Sequence, residues 1–224
     1  MSLATIQSRA LLGVDALAVT VETHLSNGLP AFAIVGLPET AVKESKERVR
    51  SAIINSGLEF PTRRITVNLA PADLPKAGGS YDLAIALSIL IASGQLERRM
   101  LENMEVLGEL ALDGSIRAVP GTVCAILAAK RQANKILLPA ANTQELNVVA
   151  YKHSYSASSL SELCQALTQG MPALEFPRRT KRRSCEPRSE DNYRQIKGQT
   201  FAKRAVQIAA AGGHNLLMIG PPGS

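Results

Sequence analysis

The 224-residue sequence contains no tryptophan, only three cysteines and three histidines, and no apolar run long enough to cross a bilayer. The longest such run, residues 83–92, falls far below the roughly 18 apolar residues a membrane helix needs. The first residues, Met1-Ser2-Leu3-Ala4, show no cationic region followed by an apolar core, so no secretory signal is read and a cytoplasmic location is expected. Cys124, Cys164 and Cys185 are an odd number at no metal-ligand spacing, two of them in apolar helical patterns, and read as core residues or free thiols. His24, His153 and His214 are likewise not spaced as a metal set, so no metal site is expected. What remains is a chain with 46% hydrophobic residues, enough for a real core and suited in length to one domain plus part of another.

The net charge of +6 is unevenly placed. Residues 1–171 hold fifteen Lys or Arg against fifteen Asp or Glu, whereas residues 172–224 hold ten against four. All of the excess therefore lies in the last segment, a local electrostatic feature. Its centre is Arg178-Arg179-Thr180-Lys181-Arg182-Arg183 within a proline-containing stretch. Arg178, Arg179, Lys181, Arg182 and Arg183 can neutralise phosphates on a nucleic-acid backbone and make binding salt-dependent. No aromatic residue interleaves with them, so base stacking is not offered. The competing reading is a linker kept extended by self-repulsion.

Hydrophobic periodicity organises the rest. Residues 4–12 and 16–25 alternate around Gly13-Val14-Asp15 and predict a hairpin; residues 30–36 give a third strand. Residues 39–55 read as a helix with an apolar stripe of Val42, Val49 and Ile53 and a solvated face of i,i+4 pairs that includes Glu44 and Arg48. A strand over 64–69, a long loop and an apolar helix over 81–93 follow. Strands over 105–112 and 115–119 flank Asp113-Gly114, a strong hairpin signal. Then come a helix over 121–132, strands over 135–138 and 148–151, and a helix over 160–168 behind Ser158-Ser159. Strands that first meander and later alternate with helices argue an α/β domain with a mixed sheet over residues 1–171. A basic linker over 172–189 separates it from a new unit over 190–224, in which a helix over 201–211 leads to a buried strand over 215–219.

That strand runs into Gly220-Pro221-Pro222-Gly223-Ser224, the opening of a phosphate-binding loop, G-x-x-x-x-G-K-[ST]. Strand, glycine-rich turn and helix N-terminus together point backbone N–H groups at a phosphate. The sequence stops one residue short of the second glycine, so the lysine and the hydroxyl that hold phosphate and magnesium would come next. The sequence thus names an ATPase without containing its catalytic part.

Ile196-Lys197-Gly198-Gln199, Lys203-Arg204-Ala205, residues 209–217 and the loop itself resemble the entry to the AAA+ module of the magnesium-chelatase-like ATPases. Upstream, Val35-Gly36-Leu37-Pro38, Val42-Lys43-Glu44-Ser45, Arg48-Val49, Asn68-Leu69-Ala70-Pro71-Ala72-Asp73 and Gly108-Glu109-Leu110 resemble the N-terminal domain of the ComM (YifB) branch of that group. The resemblance implies a mixed-sheet domain of the Lon-protease, ribosomal-protein type, followed by the first elements of a P-loop AAA+ domain. It implies a motor that uses ATP and Mg, assembles into a hexameric ring and acts on single-stranded or branched DNA in natural transformation and branch migration. Ile196, Lys197, Gly220, Pro221, Pro222, Gly223 and Ser224 would contribute to the nucleotide site, the first pair by packing on the base. Nothing in the residues indicates a porphyrin site.

The same resemblance raises a Lon-type serine peptidase as an alternative, because Ser80 falls on the nucleophile's position in Pro75-Lys76-Ala77-Gly78-Gly79-Ser80. The position of the activating lysine holds Val123, and Lys130 lies two helical turns further on, roughly 10 Å along the axis. Ser80 is therefore expected to be an N-cap of the following helix rather than a catalytic residue. Asp82 is expected to charge that helix's N-terminus. The residues present are expected to show neither ATPase nor peptidase activity. A stand-alone DNA-binding or scaffold domain is the remaining alternative.

Overall fold

The computed structural model describes residues 2–36, 42, 44–76, 78–149, 151–169 and 196–221, the side chains of 146–148 apart. The chain divides into two compact units, Met1–Thr180 and Lys181–Ser224.

In the first unit, alternating apolar and polar residues make β1 (Leu3–Leu12) and β2 (Asp15–Ser26) a long antiparallel hairpin in full register, from Leu3 opposite His24 to Leu12 opposite Asp15. β4 (Arg64–Ala70) joins the far side of β2 antiparallel, and β3 (Ala31–Val35) lies parallel on β4. On the other side of β1 come β5 (Met104–Val106), β8 (Lys135–Pro139) and β9 (Ser154–Ala157), all parallel. The result is one mixed seven-stranded sheet, ordered β3-β4-β2-β1-β5-β8-β9. The α/β class with a mixed sheet is as the pattern predicts.

Two apolar cores form because alternate residues of a strand point to opposite faces. Leu137 of β8 joins α1 (Ser45–Asn55), α2 (Asp82–Ala92) and α5 (Leu160–Thr168) in the larger core. Its neighbours Ile136 and Leu138 join α3 (Thr122–Arg131) in the smaller one. Every residue of α2 is buried, as a helix apolar all round requires. α5 opens on a capping box: Ser159 Oγ accepts from Glu162 N (3.2 Å), and the Glu162 carboxylate accepts from Ser158 N (2.9 Å).

Two elements of the first unit differ from expectation, and a third, the first helix, is described only in part. The described part of the first helix is Ser45–Asn55, and residues 39–41 and 43 of the predicted span lie outside the described residues. The predicted strand over 105–112 is broken after Val106. Gly108 turns out of the sheet, donates to Ser80 O (2.9 Å) and accepts from Leu83 N (3.0 Å). Only then does β6 (Glu109–Leu110) pair with β7 (Ile116–Arg117), around a turn in which Asp113 Oδ1 accepts from Ser115 N and Oγ.

The predicted strand over 148–151 is instead the end of a short helix, α4 (Thr143–Val149), and the strand lies further on at β9. Before that helix, buried Asn142 exchanges two 3.0 Å hydrogen bonds with the Val119 backbone and fixes the turn. β9 reads Ser-Tyr-Ser-Ala, with both serines buried, so its burial is not announced by hydrophobicity.

The polar fastening between β1 and β5 is Arg9, only 3% exposed. Its Nε and Nη2 donate to the Glu105 carboxylate (2.7 and 2.5 Å), while other N–H groups donate to Ala16 O (2.8 Å) and Gln132 Oε1 (2.6 Å). A bidentate Arg–carboxylate pair is strong because both bonds are charge-assisted. Removing one partner strands the other's charge without water. Glu105→Ala is therefore expected to lower the unfolding free energy of the chain by about 3–5 kcal/mol, read from chemical denaturation followed by circular dichroism.

Candidate functional site

Two places carry residues that the sequence singles out. The first is the turn leading into α2. Ser80 is half-buried, and its hydroxyl has no hydrogen-bond partner among the described residues. It is not the N-cap: Tyr81 holds that position without a side-chain capping bond, and Asp82 N donates to Gly79 O (3.0 Å) to close the turn. The tight Gly79–Asp82 turn starts the helix through backbone alone, which leaves the serine hydroxyl unused. A Cβ at Gly79 would lie 2.7 Å from the Glu109 carboxylate, so a side chain there would displace Glu109. Val123 is half-buried and Lys130 exposed on α3.

Asp82 was read as a charge at a helix N-terminus, and it is more than that. It is fully buried, and Arg48 donates to it twice, Nε to Oδ2 (2.6 Å) and Nη2 to Oδ1 (3.2 Å). Leu110 N also donates to Oδ2 (3.3 Å). Arg48 thus turns from the solvated face assigned to it toward a buried carboxylate. Burial pushes the Asp82 carboxyl above the usual aspartate range, against the hydrogen bonds from Arg48 and Ser45. The hydrogen bond with Asp82 in turn raises Arg48.

Lys76 is the residue the sequence reading passed over. It is wholly buried, and its Nζ donates to the carbonyls of Gly36 (3.0 Å), Leu74 (2.8 Å) and Pro71. An ammonium has three N–H donors, and all three are accepted. Desolvation lowers Lys76 below the usual lysine value, with Asp73 pulling the other way. The carbonyl cage gives this lysine a structural task, joining the end of β3 to the loop before Ser80. Gly36 makes the approach possible: its φ is +99°, and a Cβ would fall 2.2 Å from Leu69 O.

The second place is in the second unit. Its one helix among the described residues, α6 (Thr200–Gly212), ends at Gly213 in the left-handed region, with His214 N donating to Ala209 O (2.8 Å). The segment expected as a buried strand, 215–219, is in no strand pairing among the described residues, and Leu217 and Ile219 are 81% and 89% exposed. A strand needs neighbours to take its backbone bonds, and the described residues of this unit offer none. Ile196, Met218, Ile219 and Gly220 nevertheless line an open cavity of about 690 Å3 against α6. α6 contributes Gln199, Ala202, Lys203 and Val206, one face at helical spacing. Lys203 Nζ donates to Ile196 O, which ties the entry segment to the helix.

Of the residues expected at a nucleotide site, Ile196 and Gly220 meet in this cavity. Lys197 and Pro221 are exposed and do not line it, and Pro222, Gly223 and Ser224 lie outside the described residues. The basic run Arg178, Arg179, Lys181, Arg182 and Arg183 also lies outside them. Among the described residues there is no group of three or more potential metal ligands. Cys164 is buried, with its thiol pushed up to about 12, and Cys124 is half-buried; both are free. Cys185 lies outside the described residues.

The Asp82 pair makes an asymmetric prediction. Arg48→Met leaves a buried carboxylate without its cation and is expected to cost about 3–5 kcal/mol near neutral pH. Asp82→Asn leaves a partly exposed guanidinium without its carboxylate but still bonded to Ser45 Oγ, and is expected to cost less. In Arg48→Met the folded Asp82 holds its proton more tightly than the unfolded chain does, so its penalty grows as pH rises above the unfolded value. The deficit is thus expected to narrow as pH falls toward about 4, measured by denaturation of wild type and both variants across pH.

Comparison with known proteins agrees with both units. The family described as subunit ChlI of Mg-chelatase matches residues 21–142, and the family described as magnesium chelatase, subunit ChlI, matches residues 192–224. The uncharacterized protein YifB of Salmonella typhimurium is 50% identical over 224 residues, covering 100% of this chain and 44% of the relative. The competence protein ComM of Haemophilus influenzae is 48% identical over 227 residues with the same coverage, and an uncharacterized protein of Mycobacterium bovis is 39% identical over 224. The chain spans less than half the length of these curated relatives. With the turn at Gly79–Asp82 and the cavity at Gly220 both inside the matched segments, the chain belongs to the ComM/YifB family of magnesium-chelatase ChlI-related proteins.

Proposed function

We propose that this chain is the N-terminal part of a ComM-like AAA+ ATPase that binds ATP and acts on DNA. The observation that carries the reading is that Ile196, at the entry of the second unit, and Gly220, at the opening of the phosphate loop, line one cavity. At about 690 Å3 it falls within the roughly 300–1,000 Å3 of small-molecule pockets, and its walls are mainly apolar, as a base-binding slot requires. Ile196, Val206 and Met218 pack the base, and the loop from Gly220 to Ser224 turns its backbone toward the phosphates. Magnesium would be held with those phosphates and would supply neutralisation of the charge that develops on the transferred phosphoryl group. None of the described residues is assigned to it. In the complete domain, residues 215–219 take their place as a paired, buried strand.

In this reading the first unit is a Lon-like domain that has kept the fold and not the chemistry. A serine becomes a nucleophile only with a base in hydrogen-bond reach, and the nearest lysine in sequence, Lys76, spends its three protons on carbonyls. The basic linker adds sequence-independent affinity for single-stranded or branched DNA, and the motor works in the cytoplasm as a hexameric ring. Its tie to natural transformation comes from the name of one relative, the competence protein ComM of Haemophilus influenzae.

The full-length protein is expected to hydrolyse ATP, with turnover rising on branched DNA; absence of hydrolysis with and without DNA removes the ATPase reading. Fluorogenic peptides are expected to give equal background rates for wild type and Ser80→Ala, and a serine-dependent rate would restore the peptidase alternative. Gln at Arg178, Arg179, Lys181, Arg182 and Arg183 is expected to reduce the slope of log affinity against log salt by about 4, at close to one counterion per phosphate contact. An unchanged slope would show that the run does not touch phosphates.

A further inference from the structure

We infer that the first unit carries its own contact surface for the phosphate backbone of DNA, a cationic rim at the end of the sheet where β5, β8 and β9 begin. The choice of DNA as partner rests on the proposed function. Lys135 N donates to Asn103 O (2.8 Å) and Ile136 N to His153 O (3.0 Å), so the starts of the three parallel strands stand side by side. At about 4.8 Å between strands, that row is about 10 Å wide. Lys135 opens β8, and Lys152 stands two residues before β9. Arg98 and Arg99 belong to the single 3-10 turn Arg98–Leu101 that leads into β5, and its Leu101 is anchored in the larger core. Lys130 and Arg131 end α3, which packs in the smaller core on the opposite face of the sheet. Asn134 N donates back to Ala129 O (3.0 Å) and holds that helix end against the start of β8. The rim thus gathers cations from both faces of the sheet and across its end.

The even charge of residues 1–171 conceals this segregation. The rim sets six cations against two carboxylates, Glu97 and Glu102, whereas the rest of the unit sets nine against thirteen. All six cations are exposed except Lys135, which is half-buried. Arg99 pairs with Glu97, and the other five are in no ion pair among the described residues. Glu105, at the same end, is taken up by Arg9. Five unpaired like charges repel one another and oppose the compact state. The fold supplies no carboxylate to relieve them, and an anionic partner does. A protein partner needs an apolar centre to its interface, and none of the unit's exposed large apolar side chains lies in residues 97–103, 130–135 or 152–153. The exposed neighbours of the cations include Asn103 and Gln132, which together with Arg and Lys are the side chains that hold phosphate oxygens. The His153 ring packs edge-on against Tyr151 (5.5 Å between centroids), so it is not offered for base stacking. The rim therefore grips the backbone and is indifferent to base sequence.

The test is binding of fluorescently labelled single-stranded DNA by the full-length protein, followed by anisotropy over a series of salt concentrations. Gln at Arg98, Lys130, Lys135 and Lys152, with the run from Arg178 to Arg183 left intact, is expected to keep the circular dichroism of the wild type. It is expected to reduce the slope of log affinity against log salt by about 3, at roughly 0.7 per phosphate contact. Glu102→Lys adds a cation to the rim and is expected to steepen the slope by about 0.7 and to tighten binding. This second variant decides the matter alone if the first does not fold. If wild type binds DNA and the folded variants keep its slope, the rim is overturned while the DNA reading of the whole protein stands. If wild type binds no DNA even at low salt, that reading fails and the rim with it. If the Gln variant keeps the DNA slope but loses affinity for a poly-glutamate peptide, the rim is a surface for an acidic protein and the inference is likewise overturned.

Discussion

A carboxylate buried without water must find a cation, and the first unit is arranged around meeting that demand for Asp82. α2 is apolar on all sides and sinks entirely into the core, carrying Asp82 in its first turn down with it. Arg48 answers from α1 with two hydrogen bonds, and Leu110 N answers from β6. Three elements distant in sequence are thereby fixed about one helix end. The Gly79–Ser80 turn sits at this junction, held further by the bonds of Gly108 to Ser80 O and Leu83 N. Its backbone is determined on every side, while the Ser80 hydroxyl is left without a protein partner among the described residues.

The same rule operates at Arg9 and Lys76. Arg9 distributes its guanidinium over Glu105, Ala16 O and Gln132, and Lys76 gives each proton to a carbonyl. A buried charge satisfied in this way adds less to stability than to uniqueness, because its removal is costly while its replacement by packed apolar groups is often neutral. These sites specify which strand lies beside which. β1 pairs with β5 over a short stretch, and the Arg9–Glu105 pair sits beside it at Gln7 opposite Glu105.

Much of this fold is legible in the sequence, and the illegible part has a consistent cause. The β1–β2 hairpin, β4, α2, α3, β8 and α5 declare themselves through period and caps, which are local properties. β9 was missed because its buried positions are serines, and α4 because Asn142 anchors its approach through the backbone of distant Val119. Arg48 looked like half of an i,i+4 surface pair with Glu44 until the fold brought Asp82 against it. Lys76 stood inside a motif whose serine drew the attention. In each case a long-range contact overrides the local reading, and sequence spacing holds no record of that contact. At the candidate nucleotide site, Ile196 and Gly220 were visible through motif resemblance, whereas the contribution of Val206 and Met218 to the cavity was not.

The two units also divide the electrostatic work. Residues 1–171 balance fifteen cations against fifteen anions and use several of them internally, so that unit offers little net field to a polyanion. The positive excess lies beyond it, in the segment that leads to the proposed nucleotide cavity. Under the proposed function, the basic segment rather than any net charge of the balanced residues 1–171 is what attracts a phosphate-rich partner from a distance. Attraction of that kind is long-ranged and indifferent to sequence, whereas the walls of the cavity are mainly apolar. In the proposed function, capture of a polymer and binding of a nucleotide base would therefore rest on different physical terms, and salt would separate them, weakening the first steeply and the second little.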